Sequence, residues 1–267
     1  MKFGAKEVLY GDDFNLEQIE QWFKEEEEAY ADLYGIDVSM EGFVNSHYSH
    51  LDSQYGFSKI PQKKYKHVLG FGASWGYEFM CFLHNIEQLT IIDSSEQTIS
   101  EKLGDIKPVY VKPQSSGTIN MGNDIFDLTT VFCVLHHIPN ITHVLSEIVR
   151  VTQPGGYILI REPITSMELR NPSNRMKLTK NERGMPASYL QKILTENNCK
   201  IVSLSYYHFI YSFLARKFQS LGSLESSAYL KIDKILSRLF LWNFHYYPEN
   251  MFQRIAPQEV YIIAQKM

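Results

Sequence analysis

Long apolar runs are missing from this chain. No uninterrupted stretch approaches the roughly 18 residues that a bilayer-crossing helix needs, and the opening Met1-Lys2-Phe3-Gly4-Ala5-Lys6 has no apolar core of the kind an export signal carries. Both absences point to the cytoplasm. Cysteine is scarce too. Cys81, Cys133 and Cys199 stand in apolar contexts with no CxxC pair and read as buried thiols of a reducing compartment. No histidine and carboxylate set has metal-ligand spacing, so no metal is expected. A basic block is also lacking: Lys63, Lys64 and Lys66 are the densest cluster, and the net charge is -4 with a pI near 6.1. That balance argues against a phosphate-backbone partner. Repeats and low-complexity segments are absent, and 267 residues suffice to bury a full core.

What is present is punctuated alternation. Strands are expected at His67 to Phe71, Leu89 to Asp93, Pro108 to Lys112, Phe126 to Val134 and Gly156 to Arg161, with helices at Tyr77 to Asn85, Ser95 to Leu103 and Ile141 to Val151. Strand and helix in alternation give a parallel sheet covered on both faces, and the apolar run Leu128 to Leu135 suits a central strand. Before this region, Asn15 caps a helix through Leu16, Ile19, Trp22 and Phe23 whose acids Glu25 to Glu28 read as a solvated face. An aromatic and histidine-rich segment follows, with His47, Tyr48, His50 and Tyr55. Its rings suit burial against the sheet or a cover over the site. After Pro163 the pattern predicts a helix at Pro186 to Asn198, a strand at Lys200 to Tyr207, helices at Phe209 to Phe218 and Tyr229 to Trp242, and a last strand at Val260 to Gln265. The roughly fifty residues between the last two strands are too many for a plain loop.

The chemistry sits in three segments. The first is His67-Val68-Leu69-Gly70-Phe71-Gly72-Ala73-Ser74-Trp75-Gly76, followed by Asp93 at the end of the next strand. A glycine-dense strand-to-helix turn with an acid about 20 residues on is how open parallel sheets hold an adenosine-type ligand. Glycine tolerates positive φ and lets backbone amides approach a ligand closely. The second segment runs from Asp124 to Asn140 and contains Cys133-Val134-Leu135-His136-His137-Ile138-Pro139; the third is Gln153-Pro154-Gly155-Gly156 to Arg161-Glu162-Pro163. Ligands in such sheets lie beyond the carboxyl ends of the strands, which puts Gly72, Asp93, Gln114, His136 and Glu162 on one rim.

In their order and spacing these segments resemble the class I S-adenosylmethionine-dependent methyltransferases, over about residues 65 to 163. The resemblance implies an α/β fold: a Rossmann-like, doubly wound seven-stranded sheet, mostly parallel with the last strand antiparallel. The chain's own pattern divides it into an N-terminal helical cap (1–60), a cofactor-binding core (61–208), a helical and aromatic lid insertion (209–255) and the last core strand (256–267). The resemblance also implies that Gly70, Phe71, Gly72, Ala73 and Gly76 cradle S-adenosyl-L-methionine (product S-adenosyl-L-homocysteine), that Asp93 and Ser94 hold the ribose region, that Gln114 and Ser115 lie by the adenine, and that Cys133 and Val134 line the wall beside the sulfonium. Three positions depart from the family pattern. Gly70 stands where an acid is usual, Ser74 where a glycine is usual, and Gln114 where an acid often meets the adenine amine.

An oxygen nucleophile needs a base, and His137, His136 and then Glu162 are the candidates by type and rim position. Glu162 could instead hold the following loop through Arg161 or Arg170. The aromatic stretch Phe240-Leu241-Trp242-Asn243-Phe244-His245-Tyr246-Tyr247-Pro248, with Gln253 to Pro257 and Tyr55-Gly56-Phe57, is similar to methyltransferases of bacterial polysaccharide and glycan modification. The expected activity is therefore methyl transfer to a small-molecule or glycan acceptor, at a sugar hydroxyl. The competing readings are N-methylation, an NAD-dependent oxidoreductase using the same glycines, and a non-catalytic scaffold. Contact with a membrane carrying a lipid-linked acceptor rests only on Arg216, Lys217, Lys231, Lys234 and Arg238 beside the apolar helices.

Overall fold

The computed structural model describes residues 8–33, 39–166, 181, 183–209 and 227–267. Seven strands form one sheet: β1 (Tyr65–Phe71), β2 (Ile86–Ile92), β3 (Val109–Val111), β4 (Phe126–Phe132), β5 (Thr152–Pro163), β6 (Cys199–Tyr207) and β7 (Glu259–Lys266), in the order β3-β2-β1-β4-β5-β7-β6. Only β7 runs antiparallel to its neighbours, β5 and β6. The order reverses between β1 and β4, so the crevice at their carboxyl ends is where such a sheet binds ligands. All seven residues of β4 are buried, as a strand covered on both faces requires.

Alternate residues of each strand feed two cores. Leu69 and Val131 meet α4 (Ile141–Val151) and α5 (Ala187–Glu196) on one face, while Val68, Leu128 and Leu159 meet Leu51, Phe57, Phe79 and Phe82 on the other. Helix α4 turns Ile141, Val144, Leu145 and Ile148 inward at three- and four-residue spacing, and burying each contributes roughly 1.5–3 kcal/mol.

Helix α1 (Leu16–Leu33) opens on a reciprocal cap: Gln18 N–H donates to Asn15 Oδ1 at 3.0 Å and Asn15 N–H to Gln18 Oε1 at 3.1 Å. Short helices α2 (Met40–Val44) and α3 (His47–Leu51) follow. Near the last strands, α6 (Ser227–Leu239) packs on β6. The helix expected at Phe209 to Phe218 lies outside the described residues, apart from Phe209.

Three expectations are corrected. The helices foreseen at Tyr77 to Asn85 and Ser95 to Leu103 are short 3₁₀ turns, Tyr77–Phe79, Leu83–Asn85 and Glu96–Thr98. Phe79, Phe82 and Asn85 are buried at a spacing of three, the period of a 3₁₀ helix, and the amides of Phe79, Phe82 and Asn85 each bond three residues back. The acids of α1 are not a uniform solvated face, because Glu26 is buried. Cys81 is exposed, since it falls on the outward side of that three-residue repeat. Gly70 has no positive φ; only Gly72 (69°) and Gly76 (75°) of the three turn glycines do.

Candidate active site

The crevice is shaped by backbone geometry first. Gly72 turns the chain at the end of β1, and its N–H crosses to Ile92 O at 2.7 Å. Ser74 then takes φ 48°, a left-handed conformation that strains a residue with a side chain. That turn aims the Ser74 N–H at Asp93 Oδ2 (2.8 Å), while Ser95 N–H reaches Oδ1 (3.0 Å). Burial raises the Asp93 carboxyl above its usual range, against the pull of the amides of residues 95, 74 and 94. At the end of β4, Cys133 is also left-handed, with φ 54°. Cys133 is half-buried, and its thiol is pushed well up by desolvation and accepts from Arg161 Nη1 at 3.0 Å.

Glu162 organises the next turn. Wholly buried, it takes the Val134 and Leu135 amides on Oε1 (2.8 and 2.7 Å) and pairs with His136 Nδ1 through Oε2 (2.7 Å). Burial lifts its carboxyl to about 7, against those amides. The expected partner Arg161 is bound elsewhere, to Asp52 at 2.9 and 3.2 Å, and Arg170 lies outside the described residues.

Helix α1 closes the crevice from above. Trp22 Nε1 donates to His137 O (2.8 Å), Glu26 Oε2 meets His137 Nδ1 (2.9 Å), and Glu27 pairs with Lys112 just past β3 (3.4 Å). Arg183 packs on the Trp22 ring and donates from Nη2 to Ile138 O and Pro139 O. The enclosed cleft measures about 400 Å³, within the range of small-molecule sites.

Phe71, Gly72, Asp93, Ser94, Gln114, Ser115, Cys133, Val134 and His137 line it together. Gly70, Ala73 and Gly76 lie behind that surface. A Cβ on Gly70 would come within 2.7 Å of Ala73 and one on Gly76 within 2.6 Å of Leu103, so two of these glycines serve packing. His136 and Glu162 are buried beneath the cleft rather than on its wall. His47, Tyr48, His50 and Tyr55 do not line it. His47 stacks on His208 and Tyr48 on the Arg161 guanidinium, against the ends of β5, β6 and β7.

Sequence reasoning missed Phe23, Glu26 and Glu27, although positions 22, 23, 26 and 27 share one helical face and the two aromatics mark that face as inward. It also missed Glu78. That carboxyl is buried and accepts from Thr130 Oγ1 at 2.5 Å; Thr130 is the β4 residue in register with Gly70, the position that lacks the usual acid. Among the described residues no group of three or more histidine, cysteine, aspartate or glutamate side chains is arranged to hold a metal.

Residues 69–160, spanning the turn, Asp93, β4 and most of β5, match the family described as Methyltransferase domain. Residues 69–160 are thus a methyltransferase domain. Its methyl donor is S-adenosyl-L-methionine. Solved structures share the fold across nearly their whole lengths. The YcgJ protein of Bacillus subtilis is 15% identical with a TM-score of 0.52, covering 82% of this chain and 98% of its own. A SAM dependent methyltransferase from Archaeoglobus fulgidus is 15% identical with a TM-score of 0.53, covering 82% and 94%. An S-adenosylmethionine dependent methyltransferase from Mesorhizobium loti is 10% identical with a TM-score of 0.52, covering 86% and 99%. No curated protein matches the sequence significantly.

The cleft suits this donor. S-Adenosylmethionine carries a sulfonium and an ammonium against one carboxylate, and among the described residues the wall presents Glu26, Glu27 and Asp93 with no lysine or arginine. Glu26 Oε1 is a buried acceptor without a hydrogen-bond partner among the described residues. Among those residues no helix is long and apolar enough to cross a membrane.

Proposed function

We propose that this enzyme methylates a hydroxyl group of a small-molecule or glycan acceptor and that His137 is the base. The observation that carries this reading is the His137 imidazole at the cleft wall with its Nδ1 held 2.9 Å from the Glu26 carboxylate. A neutral amine attacks through its own lone pair, whereas a hydroxyl must lose a proton as its oxygen forms the new bond. A carboxylate on Nδ1 fixes that proton there and leaves Nε2 as the accepting nitrogen, the arrangement a general base needs.

S-Adenosylmethionine supplies a methyl group on a sulfonium, poised for in-line displacement. The chain's work is then alignment, exclusion of water and proton removal. In this reading Asp93 takes the ribose hydroxyls, Gln114 and Ser115 flank the adenine, and Gly72, Cys133 and Val134 border the methionine half. Gly70, Ala73 and Gly76 let the turn pack close beneath it. Glu162 and His136 act as positioning residues, because the carboxylate that fixes the Val134 and Leu135 amides also fixes the strand end leading to His137.

Residues 1–60 serve as the cap and 209–255 as the acceptor-side lid. Support for a glycan comes from rings left outward there: Trp242 and Phe252 are 64% and 62% exposed and adjacent, with centroids 6.4 Å apart, whereas Tyr246 is spent on packing, its hydroxyl donating to Gly184 O. Exposed rings of this kind can stack on sugar faces.

The test is labelled methyl incorporation into nucleoside-diphosphate sugars and glycans, followed by turnover of His137→Ala over pH 6 to 10 on the acceptor found. Turnover should fall by about a hundredfold to ten-thousandfold with cofactor affinity nearly intact. An unchanged rate and pH profile would assign the acceptor to amines or the base to another residue.

A further inference from the structure

Glu26 is held by only half of its carboxylate. Oε2 is committed to His137 Nδ1, but Oε1, on a residue only 7% exposed, has no hydrogen-bond partner among the described residues and belongs to a side chain that lines the cleft. A buried carboxylate oxygen left in that condition is costly, so its partner is to be sought in what fills the cleft.

The position of α1 narrows the choice. Glu27, the next residue, reaches Lys112 just past β3, while Trp22, one turn earlier, reaches the backbone of His137 past β4. The helix therefore spans from the β3 end to the β4 loop. On that side the cleft is bounded by Asp93, Gln114 and Ser115. The loop of Gly72, which borders the other half, follows β1.

We propose that Glu26 is a cofactor-binding residue supplied by the N-terminal cap, its Oε1 accepting an N–H or O–H of the adenosine half of S-adenosylmethionine. The proposal rests on the assignment of Asp93, Gln114 and Ser115 to that half. One carboxylate then couples cofactor occupancy to the seating of α1 and to the orientation of His137. Filling the cleft completes the bonding of Glu26, and Glu26 in turn holds the imidazole.

Titration calorimetry on the full chain separates this from its rivals. Three probes are used, S-adenosylhomocysteine, 5′-methylthioadenosine, which keeps adenosine but lacks the amino-acid portion, and NADH as a check on the class of ligand. Glu26→Gln should weaken the first two alike, by about ten- to a hundredfold, the range for a hydrogen bond to a charged group. His137→Ala, which removes the partner of Oε2 and leaves Oε1, should keep both within about threefold. The melting temperature of ligand-free Glu26→Gln should not fall, because the substitution unpairs no new group.

Loss confined to S-adenosylhomocysteine would move Glu26 to the ammonium and overturn the proposal. So would unchanged affinity for both nucleosides, or a His137→Ala loss equal to that of Glu26→Gln, which would make Glu26 a positioning residue for the histidine alone. If Asp93→Ala left both affinities intact, the reading of the adenosine half would fail instead, a result distinguishable from failure at Glu26.

Discussion

Asp93 and Ser74 meet through one hydrogen bond, and each makes a separate prediction. The two carboxylate oxygens of Asp93 are preset by the Ser74 and Ser95 amides, so the group is oriented before a ribose arrives. Asp93→Ala should cost roughly 1.5 to 3 kcal/mol of S-adenosylhomocysteine affinity, the range of a charge-assisted pair, as read by calorimetry. Equal affinity in the variant would remove Asp93 from the site. Ser74 works through its backbone, which sits at φ 48° with its carbonyl accepting from the Tyr110 hydroxyl at 3.1 Å. Glycine would relieve a left-handed penalty of about 1–2 kcal/mol while adding about 0.5–1 kcal/mol of backbone entropy cost. Ser74→Gly should therefore be neutral to about 1.5 kcal/mol more stable in urea unfolding, with binding unchanged. A clear loss of stability would mean that the serine side chain itself supports the turn.

Elements obey the same accounting of buried groups. The two turns that replace the helix after β1 carry Glu78 into the sheet's underside, where burial first, with Asp52 and Asp93 adding, holds its carboxyl up at about 8 despite the Thr130 hydroxyl and Arg161. A carboxyl raised in the folded state binds its proton more tightly folded than unfolded. Its stabilisation is complete below the ordinary 4.5 and is lost as pH rises toward 8. Across that window the slope from this one group approaches about 1.4 kcal/mol per pH unit. Glu78→Gln keeps a hydrogen-bonding carbonyl for Thr130 and removes the ionisation, so its stability curve between pH 5 and 9 should be flatter than that of the parent. Parallel curves in urea unfolding would show that Glu78 titrates normally.

The same region shows what the sequence could and could not disclose. Apolar runs disclosed the strands, because Leu128 to Phe132, and Leu89, Ile91 and Ile92, are buried in the sheet whatever surrounds them. The helix Ile141–Val151 was legible to the residue from its periodicity. Tyr77 to Asn85 was not, since Phe79, Phe82 and Asn85 are buried there at a spacing of three that only the facing core defines. The cofactor wall was readable where backbone chemistry demanded glycine or an acid after a strand, at Gly72 and Asp93. Glu26 and Glu78 escaped because each acquires its role from a residue far along the chain, His137 and Thr130.

At the scale of the whole molecule the question is whether residues 1–60 form a separable cap. Their packing says otherwise for the second half: Leu51, Phe57 and Ile60 belong to the same hydrophobic cluster as Tyr65, Phe82 and Tyr261 of the sheet region. The polar tie is Asp52, fully buried beneath the sheet ends, whose two oxygens meet Arg161 Nε and Nη2 at 2.9 and 3.2 Å. Burial lifts the Asp52 carboxyl to about 6, while Arg161 opposes the rise. Such a pair need not add much over an apolar equivalent, but removing one partner strands a buried charge and costs about 3–5 kcal/mol. Arg161 is further committed to the Tyr48 ring and the Cys133 thiol, so it cannot follow a lost partner into solvent. Asp52→Ala should therefore destabilise the entire chain by that amount in a single transition, with tryptophan fluorescence, which includes Trp22 on α1, and far-ultraviolet circular dichroism moving together. A variant in which the fluorescence change preceded loss of sheet signal would instead make the cap an independent unit, able to open over the cleft while the core stays folded.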